Sequence, residues 1–242
     1  MRCPIPTEFL ENGYIATLVQ KFGEHPDQLF YGPEGHRGLD IRTVGAYAYE
    51  KHNMEYRDNR WYGNRKRRMR TKEESNGYVP CVAAHAGFVD VNYQLHRQKG
   101  WGVIVYDLEE RKNILNEVEK FRSLYWHIES PKDDLSAYEG KIDFEVKDRE
   151  VNAGAIIALN GNTGYPNFST GAHLHFELQR SVKIGERWSQ WEPVDPLPYL
   201  QDDWIIYRRD YVENQPTEYW HKGKLMTEAE VKDFKEIMPK II

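Results

Sequence analysis

The chain has 242 residues, a formal net charge of −5 and an isoelectric point near 6.0. This acidic balance argues against general polyanion binding, so we expect no nucleic-acid partner. Hydrophobic residues make up 40% of the chain, enough for one sizeable core, and no stretch approaches the roughly 20 apolar residues that span a bilayer. Two cysteines, Cys3 and Cys81, are too few for a disulfide framework, although a single bridge between them stays open.

Short strand-like segments separated by Gly and Asn turns run through most of the chain. They predict a mainly β fold, with an antiparallel sheet that forms one open groove, inserted loops and a C-terminal helix. Residues 108–121 have apolar side chains at partly helical spacing, which leaves open a short amphipathic helix or an extended hairpin tip between two strands. A Thr-Glu-Ala-Glu capping box at residues 227–230 predicts the C-terminal helix.

The first candidate metal ligands lie in the segment GHRGLD at residues 35–40, where His36 and Asp40 are four positions apart. Asp40 would begin a strand whose neighbouring residues alternate toward the core, so its carboxylate can face a site. Zinc accepts imidazole nitrogen and carboxylate oxygen, and catalytic zinc keeps three protein ligands and one open position. This pair therefore needs one further ligand from elsewhere in the chain.

The segment STGAHLHFE at residues 169–177 offers that ligand. His173 and His175 are two residues apart among β-forming residues, so both imidazoles would project from the same face of a strand. Either histidine could complete a set of two imidazoles and one carboxylate with His36 and Asp40.

A further imidazole, His127, lies inside the apolar and aromatic run LYWHI at residues 124–128. Taken alone, this pattern is more typical of a histidine in the core. Beside a metal site, the same residue would orient a ligand or take part in catalysis. The remaining histidines are expected to be non-catalytic: His25, His52, His85, His96 and His221.

The motifs HRGLD, YWH and GNTG…STGAHLHFE, in that order, resemble those of the lysostaphin-type zinc endopeptidases, which cut peptidoglycan cross-bridges. The resemblance covers roughly residues 12–200 and implies the fold of that family, the duplicated hybrid motif. We therefore expect a zinc peptidase domain at residues 1–200, followed by a tail with a short helix at 201–242.

The resemblance also implies a role for each candidate residue. His36, Asp40 and His175 would bind one zinc ion, while His127 and His173 would be the two catalytic histidines that do not bind it. Only the resemblance decides between His175 and His173 as the ligand. Zinc lowers the pKa of its bound water toward about 7 and polarises a carbonyl group. The expected activity is hydrolysis of peptide bonds in cell-wall peptidoglycan, with the metal-bound water as nucleophile and free imidazoles handling protons.

Contacts with the peptidoglycan substrate are expected from two further places. Residues 51–77 form a basic insertion, which is either a solvated surface segment or an arm beside the groove whose Trp61 and Tyr62 stack on sugar faces. Tyr125 lies two residues before His127 and would line the same face.

Two other functions stay open from the sequence. One is a non-hydrolytic wall-binding or virion structural protein, although such a protein would not need all five metal-site and catalytic residues. The other is a zinc amidase that cuts the bond between sugar and peptide. The sequence identifies neither the bond that is cut nor the oligomeric state.

The N-terminal residues 1–11 contain neither an apolar run nor a small-residue cleavage site. We therefore expect synthesis in the cytoplasm without a secretory signal, and action at the cell wall, in an extracellular or periplasmic setting. A phage-encoded protein, export by another route and a trimmed mature form are all compatible with these residues.

Overall fold

The computed structural model of the protein describes residues 1–6, 15–25, 33–42, 79–90, 100–128, 149–161, 173–201, 204–207 and 218–237, and the backbone of four short strands between residues 48 and 68. Its one described α-helix is α1, Glu228–Ile237. The strands are β1 Ile15–Gln20, β2 Leu39–Arg42, β3 Ala48–Glu50, β4 Glu55–Arg57, β5 Arg60–Tyr62, β6 Lys66–Arg68, β7 Pro80–Val82, β8 Gly87–Asp90, β9 Trp101–Tyr106, β10 Arg111–Lys112, β11 Val118–Ile128, β12 Arg149–Val151, β13 Ile156–Leu159, β14 His173–Ile184, β15 Arg187–Trp188, β16 Glu192–Val194, β17 Trp204–Tyr207, β18 Glu218–His221 and β19 Lys224–Leu225.

One large sheet organises the described residues. Its main path runs in the order β12-β8-β9-β11-β14-β2-β1-β17-β18-β19, with β10 added to β11 and with β15 and β16 added to β14. Pairing along this path is antiparallel except between β1 and β17, which are parallel. The predicted mainly antiparallel β fold is therefore confirmed. No helix in the described ranges is long and apolar enough to cross a bilayer.

The two longest strands, β11 and β14, separate the main core from a second face, which is polar along β14 and apolar around Trp126 of β11. Tyr125 pairs with Phe176, and both side chains are fully buried in the main core. Their neighbours alternate to the other face, where Trp126 pairs with His175. Since side chains alternate along a strand, packing of the apolar residues of β14 in the core places the histidines on the opposite face. We call this second side the groove face.

Residues 108–121 form a hairpin and not a helix. β10 pairs with the first residues of β11, and Asn113 closes the turn because its side-chain oxygen accepts the backbone N–H groups of Leu115 and Glu117. Leu115, one of the apolar residues whose spacing suggested a helix, lies exposed at this tip beside Ile114. Of the two predicted forms, the hairpin tip is correct, since local turn chemistry overrides a weak helical period.

The basic insertion at residues 51–77 contains short strands. β4 pairs with β5, and β6 pairs with β3 just before the insertion. The other residues of the insertion lie outside the described ranges.

The segment after residue 200 continues the large sheet, because β17 pairs with β1 and β18 pairs with β17. The predicted C-terminal helix is confirmed as α1. Its capping box is formed, since Thr227 N–H donates to the Glu230 carboxylate at 2.7 Å. Phe234 of α1 is buried against Tyr219 of β18, at a ring-centroid distance of 5.8 Å. The helix therefore packs on the sheet.

The two cysteines and one histidine lie buried on the core side. Cys3 and Cys81 are both free thiols, so the bridge left open by the sequence is not formed. His85 donates its Nδ1–H to the Ala86 carbonyl at 2.8 Å, and its Nε2 lies 2.9 Å from Ser123 Oγ. Burial is the main reason that the pKa of His85 is lowered.

This lowered pKa predicts an acid-sensitive contribution to stability. Below about pH 6.5 the unfolded chain protonates His85 more readily than the folded protein does, so stability is complete above that pH and falls below it. We expect the free energy of unfolding of the wild type to fall more steeply with acid than that of the His85→Gln variant, by up to about 1.4 kcal/mol per pH unit in this window. Urea unfolding at several pH values between about 5 and 8 measures the slopes.

A His25→Asn variant is the control, because His25 is exposed and should leave the wild-type slope unchanged. Equal slopes for wild type and His85→Gln would contradict the prediction.

Candidate metal centre

Pairing of β2 with β14 brings the predicted ligands together. Asp40 on β2 lies directly opposite His175 on β14, and His36 precedes β2 by two residues. All three are buried, and one potential ligand atom from each lies within 4.8 Å of the others. Gly38 allows this approach, because a Cβ atom there would collide with the backbone carbonyl oxygen of Phe176.

The three ligand atoms converge on one point. His36 Nε2 is 3.0 Å from His175 Nδ1, His175 Nδ1 is 2.8 Å from Asp40 Oδ1, and His36 Nε2 is 3.2 Å from the same oxygen. Two ligands about 2.0–2.1 Å from a tetrahedral zinc lie about 3.3 Å apart, so the observed spacing is close to that of a zinc site.

The other ring nitrogens fix the tautomers of both histidines. His36 Nδ1 is 3.2 Å from the Lys21 carbonyl oxygen, which can only accept, so Nδ1 carries the proton. His175 Nε2 is 3.1 Å from the Glu177 carboxylate and donates to it. In the neutral rings, His36 Nε2 and His175 Nδ1 then have only lone pairs to present to Asp40. Three acceptors cannot face one another at these distances unless a proton or a cation lies between them.

The titration of the cluster reflects the same need for positive charge. Burial opposes ionisation of Asp40, but the neighbouring His173 and His36 and the hydrogen bond from His175 hold its pKa well below the usual range. Burial likewise opposes protonation of His175, yet hydrogen bonds to Asp40 and Glu177 raise its pKa. The buried carboxylates that attract a proton would equally attract a metal cation.

A chain of hydrogen bonds along the groove face supports His175. Glu177 is 1% exposed and accepts from His175 through one oxygen and from Gln179 Nε2, at 3.1 Å, through the other. Gln179 Oε1 in turn accepts from Arg122 Nε at 2.8 Å. Sequence reasoning missed these three supporting residues. Alternation along β14 could have placed Glu177 and Gln179 on the face of His175, but Arg122 comes from the neighbouring strand.

A β-bulge in β11 turns His127 toward the cluster. Trp126 pairs with Gly102, whereas Ile128 pairs with Trp101, so His127 is the extra residue. Its φ of +64° lies in the left-handed region of backbone conformations. The ring centroid of His127 lies 4.8 Å from that of His173 and 5.8 Å from that of His175.

His173 completes the group of five histidine and aspartate residues. It shares the groove face of β14 with His175, and its Nε2 lies 3.6 Å from Asp40 Oδ1. This distance is longer than the 2.8 Å between His175 Nδ1 and the same oxygen. The structure thus brings His36, Asp40, His127, His173 and His175 together, with His175 nearer than His173 to the carboxylate.

The bulge also separates Tyr125 from His127. Tyr125 is fully buried, and its hydroxyl accepts the backbone N–H of Ala84 at 2.8 Å. This burial argues against the predicted contact of Tyr125 with substrate, which assumed a regular strand. For Trp61 and Tyr62 only the backbone of β5 is described, and their side chains lie outside the description.

Several solved structures are similar to this chain. The catalytic domain of the antimicrobial peptidase lysostaphin from Staphylococcus simulans is 20% identical, over 75% of this chain and 90% of that one, with a TM-score of 0.39. Lysostaphin itself is 21% identical, over 80% of this chain and 53% of its own, with a TM-score of 0.38. A putative peptidase M23 from Pseudomonas aeruginosa is 18% identical, over 73% of this chain and 47% of its own, with a TM-score of 0.35.

Neither models of protein families nor curated protein sequences give a match to this chain. At these identities and TM-scores, likeness to the solved structures carries no argument about activity. The chemistry of the cluster itself must therefore support a function.

The carboxylate behind His175 predicts a measurable effect on metal affinity. The negative charge of Glu177 orients His175 and makes its Nδ1 more basic. Replacing Glu177 by Gln removes this charge, so zinc affinity should fall by about 10- to 100-fold. Competition with a chromogenic chelator measures the affinity without any activity assay. The control is Glu186→Gln, which removes an exposed carboxylate from the turn between β14 and β15 and should leave the affinity unchanged. Equal zinc affinity of Glu177→Gln and the wild type would refute the role of this carboxylate.

Proposed function

We propose that this protein is a zinc-dependent endopeptidase that hydrolyses peptide bonds of bacterial cell-wall peptidoglycan. The observation that carries the proposal is the convergence of three acceptor atoms from His36, Asp40 and His175. The resemblance of the sequence motifs to the lysostaphin-type endopeptidases supports the substrate class.

The donor set fits zinc in both chemistry and number. Two imidazoles and one carboxylate form a typical catalytic zinc set, which leaves a fourth position open. His36, through Nε2, Asp40, through Oδ1, and His175, through Nδ1, would hold the ion. Zinc bound there would supply an activated water and polarise the scissile carbonyl group.

His127 and His173 are proposed to move protons and to stabilise charge. Their rings lie beside the three ligands without belonging to the convergent set. A neutral imidazole can take a proton from the attacking water, and an imidazolium can donate to the developing oxyanion or to the leaving amine. Because His173 is the more exposed of the two, we assign it the position nearer to substrate.

Among the residues that the structure describes, a serine-based hydrolase has no comparable support. Ser123 Oγ lies 2.9 Å from His85 Nε2, the distance expected of a nucleophile and its base. However, Ser123 is 0% exposed and His85 is 5% exposed, on the core side of the sheet. A substrate carbonyl could not reach this pair.

We propose that residues 1–200, with the basic insertion at 51–77, carry the activity, and that the protein acts on the wall outside the cytoplasm. The strands and the helix after residue 200 extend the same sheet. They are proposed to support the domain.

Digestion of purified sacculi tests the reaction directly. Zinc-loaded protein should release muropeptides with a new amine on a cross-link residue, as seen by mass spectrometry. A strong chelator should abolish this release and added zinc should restore it, because the ion supplies the activated water. Release of the lactyl-linked stem peptide would instead identify an amidase. Wall binding without any cleavage product would identify a binding protein.

Variants of the five residues separate metal binding from catalysis. His36→Ala, Asp40→Ala and His175→Ala should lose zinc and, with it, activity. His127→Asn and His173→Ala should keep about one zinc per chain while kcat falls by about 10²- to 10⁴-fold, the usual range for a lost acid–base group. Asn is used at position 127 because it tolerates the left-handed backbone there.

Metal analysis and kinetic assays on the same preparations measure the zinc content and kcat of each variant. Full activity of His127→Asn would remove His127 from the mechanism. Loss of zinc from His173→Ala, with zinc retained in His175→Ala, would exchange the roles of these two residues.

A further inference from the structure

A strip of aromatic and cationic side chains occupies the groove face beyond the metal cluster. It consists of Tyr106 on β9, Lys120 and Arg122 on β11, Trp188 on β15 and Trp191 just before β16. We call these residues the cationic strip. Arg122 pairs with Gln179 and Lys120 with Ser181, so the strip follows β11 and β14 along the face that carries His175.

Stacking holds the two cations in place. Lys120 Nζ lies 4.1 Å from the ring centroid of Trp188, and the Arg122 guanidinium lies 4.6 Å from that of Trp191. Arg122 also donates to the Tyr106 hydroxyl at 3.4 Å, and the rings of Tyr106 and Trp191 lie 6.0 Å apart. Cations fixed over ring faces are ordered before a ligand arrives, which lowers the entropic cost of binding.

The charges of the strip are not neutralised within the described residues. Over that part of the chain, no carboxylate forms an ion pair with Lys120, Arg122 or the neighbouring Lys183, whose Nζ lies 5.8 Å from the Trp188 ring centroid.

Basic side chains elsewhere on these strands do find acidic partners. Arg180 on β14 is 3.8 Å from Glu119, and Arg111 on β10 is 2.7 Å from Asp107. Three cations without an ion-pair partner among the described residues therefore form a local positive site in a chain of net charge −5, which favours an anionic ligand.

The cationic strip is continuous with the metal cluster. Arg122 donates to Gln179, Gln179 donates to Glu177, and Glu177 accepts from His175. Gln179 is four positions from His175 on β14, which corresponds to about 13 Å along a strand. Ser181, opposite Lys120, and Lys183 are six and eight positions from His175, or about 20 and 26 Å. An extended peptide with its scissile bond at the cluster would therefore reach the strip after about four residues and its lysines after about six to eight.

We infer that the cationic strip binds carboxylates of an acidic peptide segment, several residues away from the bond that is cut. The inference rests on the proposed function and names the part of the substrate that lies farther along the same groove. Lysine and arginine side chains pair directly with carboxylates, and the half-buried rings of Trp188 and Trp191 offer apolar surface to the chain between them.

The test compares two forms of one purified, cross-linked muropeptide. One form keeps its free stem carboxylates, and in the other these are converted to carboxamides. Wild-type holoenzyme should show a lower KM for the carboxylate form. In the double variant Lys120→Gln/Lys183→Gln, KM for the carboxylate form should rise by about 3- to 20-fold with kcat unchanged, as expected for the loss of two surface ion pairs. The difference between the two forms should then vanish.

The matched control removes two lysines elsewhere. Lys224 and Lys232 are exposed, on β19 and α1, so Lys224→Gln/Lys232→Gln lowers the net charge equally and should leave KM for both forms unchanged. Arg122 is not substituted, because its hydrogen bond to Gln179 connects it to the metal site.

Trp188→Ala should raise KM for both forms, since the ring is proposed to contact the peptide chain of the substrate and also orients Lys120.

Measurements of binding distinguish failure of this inference from failure of the proposed function. If the wild type cleaves neither form, the endopeptidase proposal fails, and tryptophan fluorescence titration of the intact muropeptides still tests the strip. Tighter binding of the carboxylate form to wild type than to Lys120→Gln/Lys183→Gln supports the inference. Equal affinity or equal KM of the two forms for the wild type overturns it, as does an identical effect of the control double variant.

Discussion

The pairing of β2 with β14 is the constraint on which the rest of the site depends. It sets Asp40 against His175 and brings His36 within 3.0 Å of the same ring, in a buried setting. With the remaining ring nitrogens committed to Lys21 and Glu177, the three inward atoms are all acceptors. Such an arrangement is stable only with a proton or a cation at its centre, so the backbone register of two strands creates a candidate metal site.

The two faces of the central strands β11 and β14 contribute differently to the site. On the core face, tightly packed apolar side chains such as Phe176 and Tyr125 hold β11 and β14 in register. On the groove face, polar side chains extend from the cluster through Glu177 and Gln179. His127 joins that face only because a bulge with a left-handed residue interrupts β11, and local backbone strain of this kind is often found at functional sites.

Charge along the groove face changes sign away from the cluster. Asp40 and Glu177 make the metal end acidic, whereas Lys120, Arg122 and Lys183 make the far end basic. The acidic end suits a cation and the basic end suits carboxylates. A protein of net negative charge can therefore present a local site for an anionic peptide without a general affinity for polyanions.

The sequence by itself determined the strand-rich class, the capped C-terminal helix and the candidate ligands, because turn residues, a capping box and period-two alternation are local signals. Alternation was sufficient to place His173 and His175 on one face. It failed for Tyr125 and His127, because a bulge shifts the period by one residue and depends on the pairing of β11 with β9. Only the tertiary structure could bring Arg122 to Gln179, because these residues lie 57 positions apart in the chain and meet through the register of β11 and β14.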